Sequence, residues 1–117
     1  MSVYKYEQEA SVLRRKGNAF EVLTGKLVTA TTTLTESDPM VIRYDATAGA
    51  MSILLPATPY EGLTYLLKEV AGLTTSVTLN GNGNSIEGTG TVTLNTARMG
   101  RLVRYNGTSW DILLGYA

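Results

Sequence analysis

The chain has 117 residues, ten Lys and Arg balanced by ten Asp and Glu, and neither His nor Cys. That length fits one domain with a short appendage. A net charge of zero argues against a dedicated nucleic-acid binder, whose affinity would rest on a basic excess. The absence of Cys removes disulfides and thiolate chemistry and fits folding in a reducing compartment. The absence of His removes the usual general base and the commonest metal ligand. No apolar stretch approaches the ~20 residues of a membrane-spanning helix, so neither a membrane nor a cofactor is expected. Charged residues make up 17%, below the usual ~25%. So few charges on the large surface of a small domain predict that part of that surface is covered by another subunit or a partner.

Residues 1–25 differ from the remainder. Residues 1–26 carry Lys5, Arg14, Arg15, Lys16 and Lys26 against Glu7, Glu9 and Glu21. Tyr4 and Tyr6 alternate with charged residues as in a short strand, whereas Glu7 to Lys16 could form two or three helical turns. The segment reads either as a loosely held terminus or as an arm that docks on a partner through Tyr4, Tyr6, Arg14, Arg15, Lys16 and Phe20.

From Lys26 onward the pattern is β almost throughout. The run KLVTATTTLT is rich in Thr and Val, which suit a half-buried pleated surface. Read as one strand, it places Leu27, Thr29, Thr31 and Thr33 on one face, with Val28, Ala30, Thr32 and Leu34 on the other. Ser37-Asp38-Pro39 marks a turn. MVIRYD is the next strand, followed by AMSILLP, a loop holding Pro59 and Gly62, and TYLLKEV. After Ala71-Gly72 come SVTLN and the loop Asn80-Gly81-Asn82-Gly83-Asn84, which tolerates positive φ. Ile86 reads as a short inward plug. TVTLN alternates, with Val92 and Leu94 on one face. In RLVRYNGTSWDILL, Asn106-Gly107 between two alternating runs is a strong hairpin signal. Short strands at roughly ten-residue spacing predict an all-β fold, a small antiparallel β-sandwich or barrel-like domain over residues 26–117.

Three unbroken apolar runs, Ile53-Leu54-Leu55, Leu66-Leu67 and Ile112-Leu113-Leu114, depart from the alternation of a sheet with one wet face. Neighbouring residues point to opposite faces, and each buried Leu or Ile contributes about 1.5–3 kcal/mol. Both faces therefore call for cover, and a sandwich has no third layer of its own. This predicts a homo-oligomer with Leu54, Leu67 and Leu113 at the subunit interface.

Catalytic patterns are weak. Nucleophilic catalysis needs a base beside Ser, Thr or Cys, and no Ser-x-x-Lys spacing occurs. A carboxylate pair for glycoside hydrolysis could come only from Asp45, Glu61, Glu69, Glu87 and Asp111, each better read as a strand-end or loop residue. Asn80, Asn82, Asn84 and Glu87 have the alternation of an oxygen-ligand cation loop, but without Asp a tight turn is the better reading. The chain is not expected to be an enzyme, and no catalytic, metal or cofactor residue is assigned.

The order of features from about Val28 to the end runs from a Thr-rich strand through Tyr44-Asp45 and Gly49 to Leu55-Pro56. It continues with Gly62-Leu63-Thr64-Tyr65, Leu67-Lys68, Val77-Thr78-Leu79 and the Asn/Gly loop, and closes on Ile86-Glu87-Gly88 and Asn106-Gly107-Thr108-Ser109-Trp110-Asp111-Ile112. Over roughly three-quarters of the chain this order resembles the small β domain of tailed-bacteriophage virion proteins: capsid decoration proteins, head fibres and tail-fibre modules. The resemblance implies a trimer set on a viral surface. It also implies synthesis in the host cytoplasm and a major capsid protein or another virion protein as partner, with residues 1–25 as a capsid-attachment arm. The expected function is a capsid decoration, or cement, protein. The alternative is a head-fibre or tail-fibre adhesin binding a host glycan or protein through exposed Tyr, Trp and Asn/Gly loops.

Overall fold

The computed structural model describes residues 25–72 and 75–114. Nine strands carry the described chain: β1 (Lys26–Val28), β2 (Thr32–Thr33), β3 (Val41–Tyr44), β4 (Met51–Leu54), β5 (Thr64–Glu69), β6 (Val77–Asn80), β7 (Thr91–Thr93), β8 (Gly100–Tyr105) and β9 (Trp110–Leu114). They form a five-stranded sheet in the order β1-β3-β5-β8-β9 and a four-stranded sheet in the order β2-β4-β6-β7. The all-β expectation holds among the described residues, which contain no helix.

The antiparallel expectation does not hold. β1–β3 and β3–β5 pair in parallel in one sheet, as do β2–β4 and β4–β6 in the other. Only β5–β8, β6–β7 and β8–β9 are antiparallel. Parallel neighbours need a crossover, usually a helix. Here each crossover contains a strand of the opposite sheet, so the chain winds β1, β2, β3, β4, β5, β6 alternately between two layers. The antiparallel strands β7, β8 and β9 then extend one side of both sheets. The run KLVTATTTLT is accordingly two strands rather than one. β1 pairs with β3, β2 pairs with β4, and the exposed residues Thr29 and Ala30 carry the chain between the sheets.

The core lies between the layers. Ile42, Tyr44, Tyr65, Leu67, Val103, Trp110 and Ile112 from the five-stranded sheet face Met51, Ile53, Leu55, Val77, Leu79 and Leu94 from the four-stranded side, and all are buried. Strict alternation of buried and half-exposed positions along β5 and β8 shows one inward and one outward face. Trp110 packs at ring-centroid distances of 6.1 Å from Tyr65 and 5.3 Å from Tyr105. Ile86 is fully buried and bridges Trp110, the inward plug that its isolation among Asn and Gly predicts.

Two turns follow directly from side-chain chemistry. In the β8–β9 hairpin, Asn106 Oδ1 accepts from the backbone N–H of Thr108 and Ser109, and Gly107 takes φ +100°, which glycine adopts without a Cβ clash. At the close of β6, Asn80 Oδ1 accepts from Asn82 N–H. A Cβ on Gly81 would collide with the Asn84 carbonyl, so only glycine lets that loop fold so tightly.

Candidate interaction surface

Apart from Glu61, the polar side chains that sequence reasoning weighed for chemistry are engaged with the protein's own backbone and amides. Asn82 Nδ2 donates to Leu55 O at 3.1 Å and Asn84 Nδ2 to Ala57 O at 3.0 Å. The Asn/Gly loop thus pins the loop that begins at Pro56. Asp45 Oδ1 accepts from Thr47 N–H and Oγ1, bonds that lower its pKa. Glu87 Oε2 accepts from Ile112 N–H at 2.8 Å, and both Asp111 oxygens accept from Asn106 Nδ2. Among the described residues no group of three or more His, Cys, Asp or Glu stands together as a metal site.

Glu69 is the most demanding of these groups. It is fully buried, and burial opposes its ionisation. Backbone N–H donors from Arg98, Ala71 and Gly72, at 2.8, 3.1 and 3.0 Å, together with the Arg98 charge, outweigh that cost and hold its carboxyl below the ordinary value. Arg98 itself sits at φ +64°, a left-handed conformation uncommon for a non-glycine residue. The Glu69 bond, the Arg98 Nη1 bond to Val70 O and the Lys68 ammonium donating to Arg98 O hold it there. No sequence motif announces this clamp, because its members lie some thirty residues apart. On the same inner face, burial raises Tyr44 to about 12; Arg101 offsets part of this rise and Glu69 adds to it.

The outward faces of the two sheets are the accessible features, and they are unlike. On the four-stranded sheet Thr33, Leu54, Asn80 and Thr91 align in one row, and Ser52, Thr78 and Thr93 in the next. The Thr31 hydroxyl accepts from Ser52 N–H and continues the second row. Leu54 is the only apolar residue in these rows and bears no charged neighbour within them. On the five-stranded sheet, register places Val41, Leu66, Leu102 and Leu114 side by side across β3, β5, β8 and β9. Leu114 is 63% exposed, and Leu113, displaced at the register shift in β9, is 51% exposed.

Of the three residues predicted at a subunit interface, two are outward and one is not. Leu54 is half-buried on the four-stranded sheet and Leu113 exposed on β9. Leu67 is fully buried between the sheets, so its cover comes from its own chain and it is a core residue. The outward member of that pair is Leu66, which sequence reasoning passed over. Trp110, counted among exposed aromatics for a host-binding surface, is also buried; Tyr60, on the proline loop, is 53% exposed. Tyr4, Tyr6, Arg14, Arg15, Lys16 and Phe20 lie outside the described residues. Compared with known proteins, the chain matches no family model and no curated protein.

Proposed function

We propose that this chain is a structural virion protein of a tailed bacteriophage, binding the assembled capsid surface as an oligomer and stabilising it. The observation that carries the reading is the apolar row Val41–Leu66–Leu102–Leu114 on an outer sheet face, in a domain whose Asn, Asp and Glu side chains are largely engaged in its own turns. The largest outward apolar patch on a small protein is often functional. The order of sequence elements shared with phage β domains supplies the partner and the threefold count. In this reading residues 1–25 attach to the shell, and the β domain holds the copies together.

The mechanism is mass action. A protein that binds only the assembled lattice stabilises it by the free energy of binding, and several weak contacts on one oligomer add through avidity. The test mixes purified protein with undecorated capsids and follows co-sedimentation and capsid melting. Co-sedimentation with a raised melting temperature supports the reading; no co-sedimentation, or an unchanged melting temperature, refutes it. The host-adhesin alternative retains exposed Tyr60 but loses Trp110 as a stacking platform. It predicts cell or glycan binding that survives deletion of residues 1–25, whereas capsid attachment would be lost with them.

A further inference from the structure

The charges beside the apolar row are arranged asymmetrically. On one side, in register, run Leu27, Arg43 and Lys68, two cations, with Asp45 beyond Arg43 turned to its own bonds with Thr47. On the other run Thr64, Arg104 and Asp111, and Glu61 stands at the same end, beside Gly107 of the β8–β9 hairpin. That flank holds two carboxylates against one guanidinium. The face therefore carries an apolar centre and, on its two sides, the two halves of a charge match.

The adjoining edge is closed to strand addition. Trp110 N–H donates to Ser85 O, Glu87 N–H donates to Trp110 O, and the Glu87 carboxylate takes Ile112 N–H. These bonds occupy the free side of β9 from Trp110 to Ile112. An unpaired edge is a template for another chain, and here most of β9 offers none. On the β9 side a partner meets this sheet on its face rather than along its edge.

We propose that the outer face of the five-stranded sheet is the contact between copies of this chain, with apolar row against apolar row and the Arg43–Lys68 flank of one copy on the Asp111–Glu61 flank of another. A second copy is the occupant because the face supplies its own complement in both hydrophobicity and charge. The inference rests on the self-association in the reading above and not on the capsid. Strands about 4.8 Å apart and residues about 3.3 Å apart give the face roughly 20 by 15 Å, small beside the roughly 800 Å² that each partner commits to a standard interface. The association is therefore concentration-dependent, and its charged flanks make it weaken with salt.

Sedimentation velocity across a wide concentration range tests this directly. The wild-type chain associates, and Leu66→Glu and Leu102→Glu are monomeric with the far-UV spectrum and cooperative melting of the folded domain. Leu66→Ser is the milder companion should the charged variants fold poorly, and it shows the same loss. Arg43→Glu and Glu61→Lys, at exposed residues outside the clamp and the hairpin bonds, each weaken association by about tenfold, in the range expected for an interfacial charge pair, and mixing the two variants restores it. A monomeric wild type at every concentration overturns the proposal, as does a folded Leu66→Glu or Leu66→Ser that associates like wild type. Charge variants that leave association unchanged overturn the flank-to-flank arrangement. A chain that associates through this face yet ignores capsids refutes the capsid reading alone.

Discussion

Leu66 and Leu67 are adjacent, chemically identical and placed in opposite surroundings. Leu67 sits between the sheets with no exposed surface. Leu66 lies in the outward row, half-exposed, with Val41 and Leu102 as register neighbours. The interior is sealed by two layers of the same chain, whereas the outer row has no layer over it among the described residues. The difference separates two kinds of hydrophobic residue that composition cannot separate. One kind stabilises the fold, and the other is left on its surface, where the proposed contact would use it.

The sharpest way to break this comparison is to truncate both members. Leu67→Ala is expected to cost about 2–5 kcal/mol, the range for a buried leucine that leaves a cavity. Leu66→Ala should cost under about 1 kcal/mol in the isolated domain. Urea unfolding at a concentration where the chain is monomeric measures both, and equal costs would erase the distinction.

The second prediction concerns what else the interior contains. Glu69→Gln leaves at least one of the three bonded N–H groups without its carboxylate acceptor, a loss of about 1–3 kcal/mol. Its pH dependence has a definite sign. The folded carboxyl titrates below its ordinary value, so its contribution is present above the unfolded pKa of about 4.3 and is lost as pH falls through the lower, folded value. The wild type should lose stability over that acid range and Glu69→Gln should lose less. Parallel acid limbs in urea titrations would show that the clamp is not what titrates.

Tyr44 tests the interior in the alkaline direction with a smaller effect. Its folded pKa is raised to about 12, so its neutral form contributes stability that is whole below an unfolded value of about 10 and is lost as pH rises through the folded one. The Tyr44 hydroxyl is also buried without a hydrogen-bond partner among the described residues. Tyr44→Phe should therefore be neutral or slightly stabilising at pH 7, by up to about 1 kcal/mol, and should flatten the alkaline limb of a thermal-melting profile. A clear loss of stability at neutral pH would mean that the hydroxyl has a partner.

The smallest effect is expected on the other outer face. Leu54→Thr makes that row uniformly polar among Thr33, Asn80 and Thr91, in a strand position that suits Thr. It should change stability by no more than about 1 kcal/mol and leave sedimentation unchanged. Loss of association in this variant would move the contact between copies from one sheet to the other.

Sequence reasoning located most of the local structure for identifiable reasons. Asn106-Gly107 and Asn80–Asn84 make turns because Asn side chains bond the backbone two residues on and glycine accepts positive φ. The unbroken runs at 53–55, 66–67 and 112–114 each put apolar residues on both faces of a sheet, as the alternation of strand side chains requires. What alternation could not supply was which face is inner, so Leu67 was assigned outward when Leu66 holds that position. The Glu69 clamp was equally hidden, since a carboxylate and the Arg98 N–H come together only when β5 meets the turn before β8.

By itself the sequence determined that the described residues are all-β and where most of their strands and turns fall. These are local properties, set by side-chain shape, backbone preference and a period of two. Only the tertiary structure decided that β1 to β6 pair in parallel by alternating between sheets, that residues 26–34 divide between two layers, and that Leu66, Leu102 and Leu114 line up in one charge-flanked row. Strand direction and inner face depend on partners sixteen to twenty-six residues away in the parallel pairs. A period-two pattern is the same whichever way the neighbouring strand runs.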